Sequence, residues 1–270
     1  MENKSRKKYS ILGISIWRIL AYFIIYSFIG YIIETIFSIV VYGVIDSRQS
    51  FLYGPFCGIY GIGAIIMILL LQYFNKNNHT LFLAGTIIGA VIEYLLSFVG
   101  ELMLGVRWWD YSDKFLNING RICLIYSFFW GFLAIYLIKV LNPRVDRFID
   151  YLAKKLNPKV LKTKVIIVVV VLFLDCVISA IAIDVFLTKV SVENNLDIEN
   201  KQSTIEKYNK IYTKEGLVKF IERFWSDEKM IKTYPKLKIT LENSEIVYVQ
   251  EFFKNIQPYY YKFPRNLKFK

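Results

Sequence analysis

Residues 165–188 read VIIVVVVLFLDCVISAIAIDVFLT, an apolar run interrupted by two carboxylates, Asp175 and Asp184. At ~1.5 Å per helical residue this segment outreaches the ~30 Å hydrocarbon core of a bilayer. Four further runs of the same kind lie upstream, at roughly 19–45, 56–74, 81–104 and 122–141. The 270-residue chain is 55% hydrophobic and 17% aromatic, with a mean hydropathy of +0.39. One soluble core does not use apolar residues in runs of that length. The first run is too long for a cleavable signal peptide, and no small-residue cleavage site follows its apolar core. The expected fold class is an all-α polytopic membrane protein, a bundle of about five transmembrane helices.

The net charge of +12 matters through its placement. Lys4, Arg6, Lys7, Lys8 and Arg18 precede the first run, and Lys139, Arg144, Arg147, Lys154, Lys155, Lys159, Lys162 and Lys164 lie around the 142–164 connection. The connections 46–55 and 105–121 are poorer in basic residues. The positive-inside rule then predicts a cytoplasmic N-terminus, with the 75–80 turn and 142–164 on the same side. Five crossings from that start leave the tail, 189–270, extracytoplasmic. The basic charge reads as topology and contact with anionic lipid, and no aromatic-interleaved pattern points to nucleic acid.

Three regions follow: a basic cytoplasmic lead-in at 1–18 with Trp17 and Arg18 as interfacial anchors, a five-span domain at 19–188, and the tail. Within 145–157, Val145, Phe148, Ile149, Leu152 and Leu156 recur at helical spacing against Arg147, Asp150, Lys154 and Lys155. This predicts a short amphipathic helix between Pro143 and Pro158, lying on the inner membrane surface or receiving a cytoplasmic partner. In the tail, 203–224 has helical periodicity, and LKITL and IVYVQ read as two strands around the turn ENSE. A small α+β unit or a partly ordered arm fits that pattern.

Ionisable residues inside spans are costly and draw functional suspicion. Ser27, Gly30, Glu34 and Ser38 form one stripe on the first span; Gly85, Gly89, Glu93, Ser97 and Glu101 form another on the third. Small residues at such spacing admit close helix approach, so both stripes should face the bundle interior. Glu34 lies about 22 Å and Glu93 about 18 Å from the inner ends of their spans. With Glu101 nearer the outer surface and Arg107 and Arg121 beyond it, the five residues suggest a polar pocket open to the outside.

The connection RWWDYSDKFLNINGRICL, 107–124, would form the lid or interfacial rim of that pocket. Trp108 and Trp109 suit the headgroup level. Asp110, Tyr111, Asn117, Asn119 and Gly120 supply hydrogen bonds and a tight turn, with Asp110 and Asp113 free to pair with Arg107, Lys114 or Arg121. Ion pairs that merely hold helices together fit the same residues. Asp175 lies one helical turn from Ser179 near the midplane of the fifth span and needs a partner, Ser179 or a tyrosine on a neighbouring helix, or else a proton. At the mouth of the second span, Gly54, Pro55, Gly58, Tyr60 and Gly61 indicate close packing or irregular backbone beside a cavity. Cys57, Cys123 and Cys176 lack paired spacing and read as packing residues.

No GxxxxGK[ST] stretch is present, so ATP binding by a P-loop is excluded. The single histidine, His79, rules out HExxH zinc chemistry and lies on the side opposite the expected pocket. Paired carboxylates with separated pKa values could still catalyse, but no substrate is indicated. No catalytic, cofactor or metal residue is assigned.

The stretches IGYIIET (29–35), FLYGPFCGIYGIGA (51–64), IEYLLSFVGE (92–101) and the 107–124 block together resemble the ABC-transporter type IV permease family, bacterial multi-pass membrane proteins common in low-GC Gram-positive bacteria. The resemblance extends through Asp175 and Ser179 to YPKLKI in the tail. It carries over Glu34, Gly54, Pro55, Tyr60, Gly61, Glu93, Tyr94, Glu101, Trp108, Trp109, Asp110, Tyr111, Asn117, Gly120 and Arg121. Gly58 departs from it, standing where proline is usual. The resemblance implies a permease subunit in the plasma membrane whose separate ATPase docks at 142–164. Membrane lipids are its other expected partners. Two alternatives fit the residues: an outer-leaflet enzyme or lipid-binding protein acting on a lipid or cell-wall precursor, and a membrane scaffold or sensor.

Overall fold

A computed structural model describes residues 10–104, 109–243 and 245–264. Lys4, Arg6, Lys7, Lys8, Arg107 and Trp108 lie outside the described residues. Among those described, four helices are long and apolar enough to cross a membrane: Ile16–Tyr42, Asn78–Leu102, Leu124–Lys155 and Pro158–Glu193. The run at 56–74 forms a shorter apolar helix. The chain is an all-α membrane protein with a few short strands.

In chain order, a hairpin of β1 (Ser10–Ile11) and β2 (Ile14–Ser15) turns through Leu12 and Gly13, both at positive φ. Then come α1 (Ile16–Tyr42), β3 (Val44–Asp46), α2 (Gly58–Leu71) with a 3₁₀ turn at Gln72–Phe74, and α3 (Asn78–Leu104). Next, α4 (Leu124–Tyr136) passes through a π-turn, Leu137–Leu141, into α5 (Asn142–Lys155), and α6 follows (Pro158–Glu193). The tail contains α7 (Lys201–Tyr212), α8 (Glu215–Phe224), α9 (Asp227–Thr233), β4 (Lys238–Thr240), β5 (Ile246–Tyr248) and β6 (Tyr259–Lys262).

The chain divides into two compact units. The first comprises residues 1–31, 56–98 and 110–174; the second comprises 32–55, 99–109 and 175–270. The core of the first gathers Tyr22, Tyr26, Met67, Leu71, Leu81, Ala134, Leu137, Val145 and Ile149. Around it, large apolar side chains remain exposed along α3 (Leu83, Ile87, Val91, Leu95), α4 (Ile125, Phe129, Phe132) and α6 (Ile167, Val171, Leu174). Water would not tolerate so continuous an apolar surface, and lipid covers it at no cost.

The amphipathic helix expected at 145–157 is present as α5, but it continues α4 instead of following a break. Pro143 sits in the first turn of α5, where its missing N–H costs least, and the π-turn just before it relieves the ring's clash with the preceding turn. Val145 and Ile149 are buried in the core. Their helix is held to α1 by two ladders of four-residue steps. Arg18 pairs with Asp150 and lies 3.6 Å from Asp146, Tyr22 donates to Asp146 at 2.5 Å, and Tyr26 donates to Asn142 at 2.9 Å.

The small residues behave as close-approach positions. A Cβ on Gly30 would strike Tyr60, and one on Gly61 would strike Ser27 and Phe23. On α3, a Cβ at Gly85 would meet Ala134 and one at Gly89 would meet Trp130, so both glycines let α4 lie close. α2 runs antiparallel to the first part of α1: Cys57 N–H donates to the Ser27 carbonyl at 2.8 Å, and the Gln72 amide reaches the Leu12 carbonyl at 3.2 Å. Ser27 is about 16 Å along α1, so α2 begins at mid-span.

The core of the second unit packs Leu52, Ala182, Ile183, Phe186 and Val190 with Met230, Ile231, Leu237, Ile239 and Val249. The expected strands around ENSE form the β4–β5 hairpin, with Ile239 opposite Val247. β6 pairs antiparallel with β3, Ile45 opposite Tyr261, which ties the end of the tail to the segment after α1.

Candidate functional site

The connection after α3 folds back onto that helix, within the first unit. Asn119 and Gly120, both at positive φ, turn the chain. Tyr111 N–H donates to the Gly120 carbonyl at 2.8 Å, and Asn117 donates to the Ser112 and Lys114 carbonyls at 3.1 and 3.0 Å. Asp110 Oδ1 accepts from the Ser112 N–H and hydroxyl at 3.0 and 2.6 Å. Asp113 pairs with the adjacent Lys114, whose hydrogen bond lowers the Asp113 pKa.

This folded loop supplies donors to α3. Tyr111 Oη donates to Glu93 Oε1 at 3.0 Å, while Trp130 Nε1 on α4 donates to Glu93 Oε2 at 2.9 Å. Glu93 is buried, and each carboxylate oxygen has a neutral donor. Burial, with the Glu93 carboxylate beside it, raises the Tyr111 pKa, which keeps the phenol a donor at neutral pH. Tyr111 also stacks on Tyr126, ring centroids 4.7 Å apart. One turn along α3, the buried Arg121 donates to Ser97 Oγ at 3.1 Å and lies over the rings of Tyr94 and Phe98. Asn119 donates to Tyr94 Oη at 2.9 Å. An apolar groove of about 370 Å³ runs beside Tyr94, lined by Thr86, Ala90, Val91, Ile122 and Ser127.

Of the expected pocket residues, Glu93 and Arg121 therefore belong to one polar arrangement with Tyr94, Tyr111, Asn117, Asn119 and Gly120. Glu34, Glu101 and Trp109 belong to the second unit. There Glu34 Oε2 lies 3.7 Å from Arg48 Nη1, and Arg48 Nε donates to Asp46 Oδ1 at 2.9 Å. Ser38 donates to the same Asp46 oxygen. Lys236 is close to this group and lies 3.8 Å from the Tyr42 ring centroid. Burial and the Arg48 guanidinium lower the Lys236 pKa to about 8.

The mid-span aspartate also acquires partners in the second unit. Residues 47–55 are not helical, with Gly54 at φ +85°. Tyr53 N–H points at both Asp175 carboxylate oxygens, 3.2 and 3.3 Å away, and Leu52 N–H donates to Ser179 Oγ at 2.6 Å. Ser179 in turn donates to Asp175 at 3.2 Å. Backbone outside a helix is tolerated at membrane depth only where its polar groups find protein partners, and here two α6 side chains provide them. The expected irregular backbone is thus found just before α2, and Gly58 and Gly61 themselves pack inside the first turn of that helix.

Sequence reading missed Trp130, Arg48, Lys236 and the bonds between α5 and α1. The ladder Asn142, Asp146, Asp150 against Arg18, Tyr22, Tyr26 had a visible signal, matching steps of four in two separate stretches.

Long apolar helices, a loop that folds its polar groups onto one of them, and irregular backbone satisfied by side chains of another define a polytopic α-helical membrane protein. The chain belongs to the family described as "Putative ABC-transporter type IV", whose model matches residues 21–180. That match covers every helix from α1 to the middle of α6, including Glu93, Arg121 and Asp175. No curated protein and no solved structure matches the chain.

Proposed function

We propose that this chain is the membrane subunit of an ABC transporter in a bacterial plasma membrane, working with a separate cytoplasmic ATPase. The observation that carries this reading is the outer face of α5. Its inner face is buried and tied to α1, while Phe148 and Tyr151 stay exposed among Arg144, Arg147, Lys154 and Lys155. A rigid helical extension of a span, with aromatic and basic residues outward, gives a partner something to push. A floppy connector would not transmit that motion.

The strand pairing supports the topology. β3 and β6 can pair only if residues 44–46 and 259–262 lie on one side of the membrane. Between them the chain passes α2, α3, the α4–α5 rod and α6, so an even number of crossings needs α2 to count. α2 with its 3₁₀ turn covers about 27 Å, and the irregular 47–57 segment supplies the rest of that crossing. With the basic residues inside, the N-terminus and 142–164 are cytoplasmic and the tail is extracytoplasmic.

The solute route runs beside the Glu93 site. A buried carboxyl group held by two neutral donors, with no cation paired to it among the described residues, suits a cationic or proton-coupled solute. Arg121 fixes the loop above it.

The test is a mild-detergent pull-down of the tagged protein from native membranes, read by mass spectrometry. A stoichiometric ATPase, lost in a Phe148→Ala/Tyr151→Ala variant that still inserts, is expected. A specifically retained lipid with no ATPase would overturn the transporter reading in favour of an outer-leaflet lipid-binding protein or enzyme.

A further inference from the structure

Tyr42 closes α1, about 39 Å from its first residue, so it lies beyond a ~30 Å hydrocarbon core, at the depth of lipid phosphates. Two cations address its ring: Lys236 Nζ at 3.8 Å and Arg48 at 5.6 Å from the centroid. Lys238, buried, is a third cation acting on Lys236. Against these three stand two carboxylates, Asp46 and Glu34, so the cluster carries an excess of positive charge.

Its hydrogen-bonding capacity is also unfilled. The Arg48 side chain is 11% exposed. Nε is engaged by Asp46, and Nη1 is 3.7 Å from Glu34. Nη2 is buried and has no hydrogen-bond partner among the described residues. A buried guanidinium N–H without an acceptor costs free energy that an anion would recover, and Arg is the residue best shaped to bind one. Lys236 is only partly buried and Tyr42 is exposed, so the cluster opens to its surroundings.

We propose that Arg48 and Lys236, beside Tyr42, form a binding site for a phosphate-bearing anion at the headgroup level of the membrane. Arg48 Nη2 and Lys236 Nζ donate to the phosphate oxygens, and Tyr42 closes one side. The site is built wholly within the second unit and does not depend on the transport reading. The phosphate comes either from an anionic phospholipid of that leaflet or from free phosphate.

The experiment uses the full-length protein in a nonionic detergent. One arm measures retention of phosphatidylglycerol against phosphatidylcholine of the same chain length by native mass spectrometry. The other measures protection of Lys236 from acetylation by inorganic phosphate, with peptide mapping. The wild-type protein is expected to retain phosphatidylglycerol at least tenfold better than phosphatidylcholine. Lys236→Met and Arg48→Gln should lose that preference, and Lys236→Arg should keep it. Lys236 is partly exposed, so its variants report even if Arg48→Gln fails to fold. Protection by phosphate as well as lipid makes phosphate itself the ligand; lipid retention without protection assigns the site to a headgroup. Equal lipid retention by wild type and Lys236→Met, with no protection by phosphate, overturns the proposal.

Discussion

Tyr22 on α1 donates its hydroxyl to Asp146 on α5 at 2.5 Å, joining the first helix to the α5 end of the α4–α5 rod. Tyr22 is 3% exposed, so its hydroxyl has no water to fall back on. Asp146→Ala leaves that donor unpaired and should cost about 1–3 kcal/mol. Asp150→Ala should cost far less, since Asp150 is 58% exposed and an exposed ion pair contributes little. Thermal unfolding of both variants in detergent checks the order. A larger loss at Asp150 would mean that the exposed Arg18 pair, and not the buried Tyr22 bond, is what holds α5.

Ser179→Ala removes the acceptor for Leu52 N–H, and Asp175→Leu removes the acceptor for Tyr53 N–H. Each change should loosen the 47–55 segment without unfolding α6, because the side chains lost serve the neighbouring backbone. Hydrogen exchange at residues 50–55 should accelerate at least tenfold in either variant, since an orphaned buried N–H costs about 1–3 kcal/mol. Unchanged exchange would show that the segment is held by something other than these two side chains.

The four long apolar helices were legible because hydropathy in long runs needs no tertiary information, and the periodicity of 145–157 was enough to find α5. Its continuity with α4 was not, since Pro143 reads as a boundary unless a π-turn is anticipated. The loop's fold-back was legible in outline from its turn residues and its density of hydrogen-bonding side chains. Its actual anchor, Glu93, is bonded in part by Trp130, an aromatic that looks like any other span residue. Asp175 advertised a need for a partner, and Ser179 was legible as one, but its other partner is the backbone of Tyr53, which residue types cannot reveal. Arg48 and Lys236 were invisible for another reason: β3 and β6 are very short strands, separated by most of the chain.

The glycines on the spans offer a paired test of packing. At Gly89 a Cβ would lie 2.5 Å from the Trp130 Cβ, and neither helix can yield locally. At Gly63 the nearest atom, Ile92 Cγ2, is 4.0 Å away. Gly89→Ala should therefore lower stability by about 1–3 kcal/mol through overpacking. Gly63→Ala should change it little, or raise it by up to about 1 kcal/mol through helix propensity. Melting temperatures decide, and equal effects at the two sites would mean that α3 and α4 are not in close contact at Gly89.

Lys236 gives the unliganded protein a pH dependence with a definite sign. Burial first, then Arg48 and Lys238, push its pKa down to about 8, against the pull of Asp46 and Glu34. An unfolded lysine titrates near ~10.4. Between these values the unfolded chain holds a proton that the folded one has released, so stability rises with pH across that window. Compared with Lys236→Met, the wild-type protein should gain melting temperature from pH 8 to pH 10 and show no such trend from pH 6 to pH 7. A flat difference over the whole range would place Lys236 in water.

The β3–β6 pairing makes topology testable without any substrate. Single cysteines introduced at Gln49 and Tyr260, in a background with Cys57, Cys123 and Cys176 replaced by alanine, should react with a membrane-impermeant maleimide from the same side of intact cells. A cysteine at Asn77, in the turn between α2 and α3, should react only after the membrane is opened. This pattern requires α2 to complete a crossing despite its length, because three long helices alone would put the two strands on opposite faces. Labelling of Gln49 and Tyr260 from opposite sides would rule out the pairing in the membrane. Labelling of Gln49 and Asn77 from outside, with Tyr260 reacting only after the membrane is opened, would make α2 a helix that enters and returns on one side.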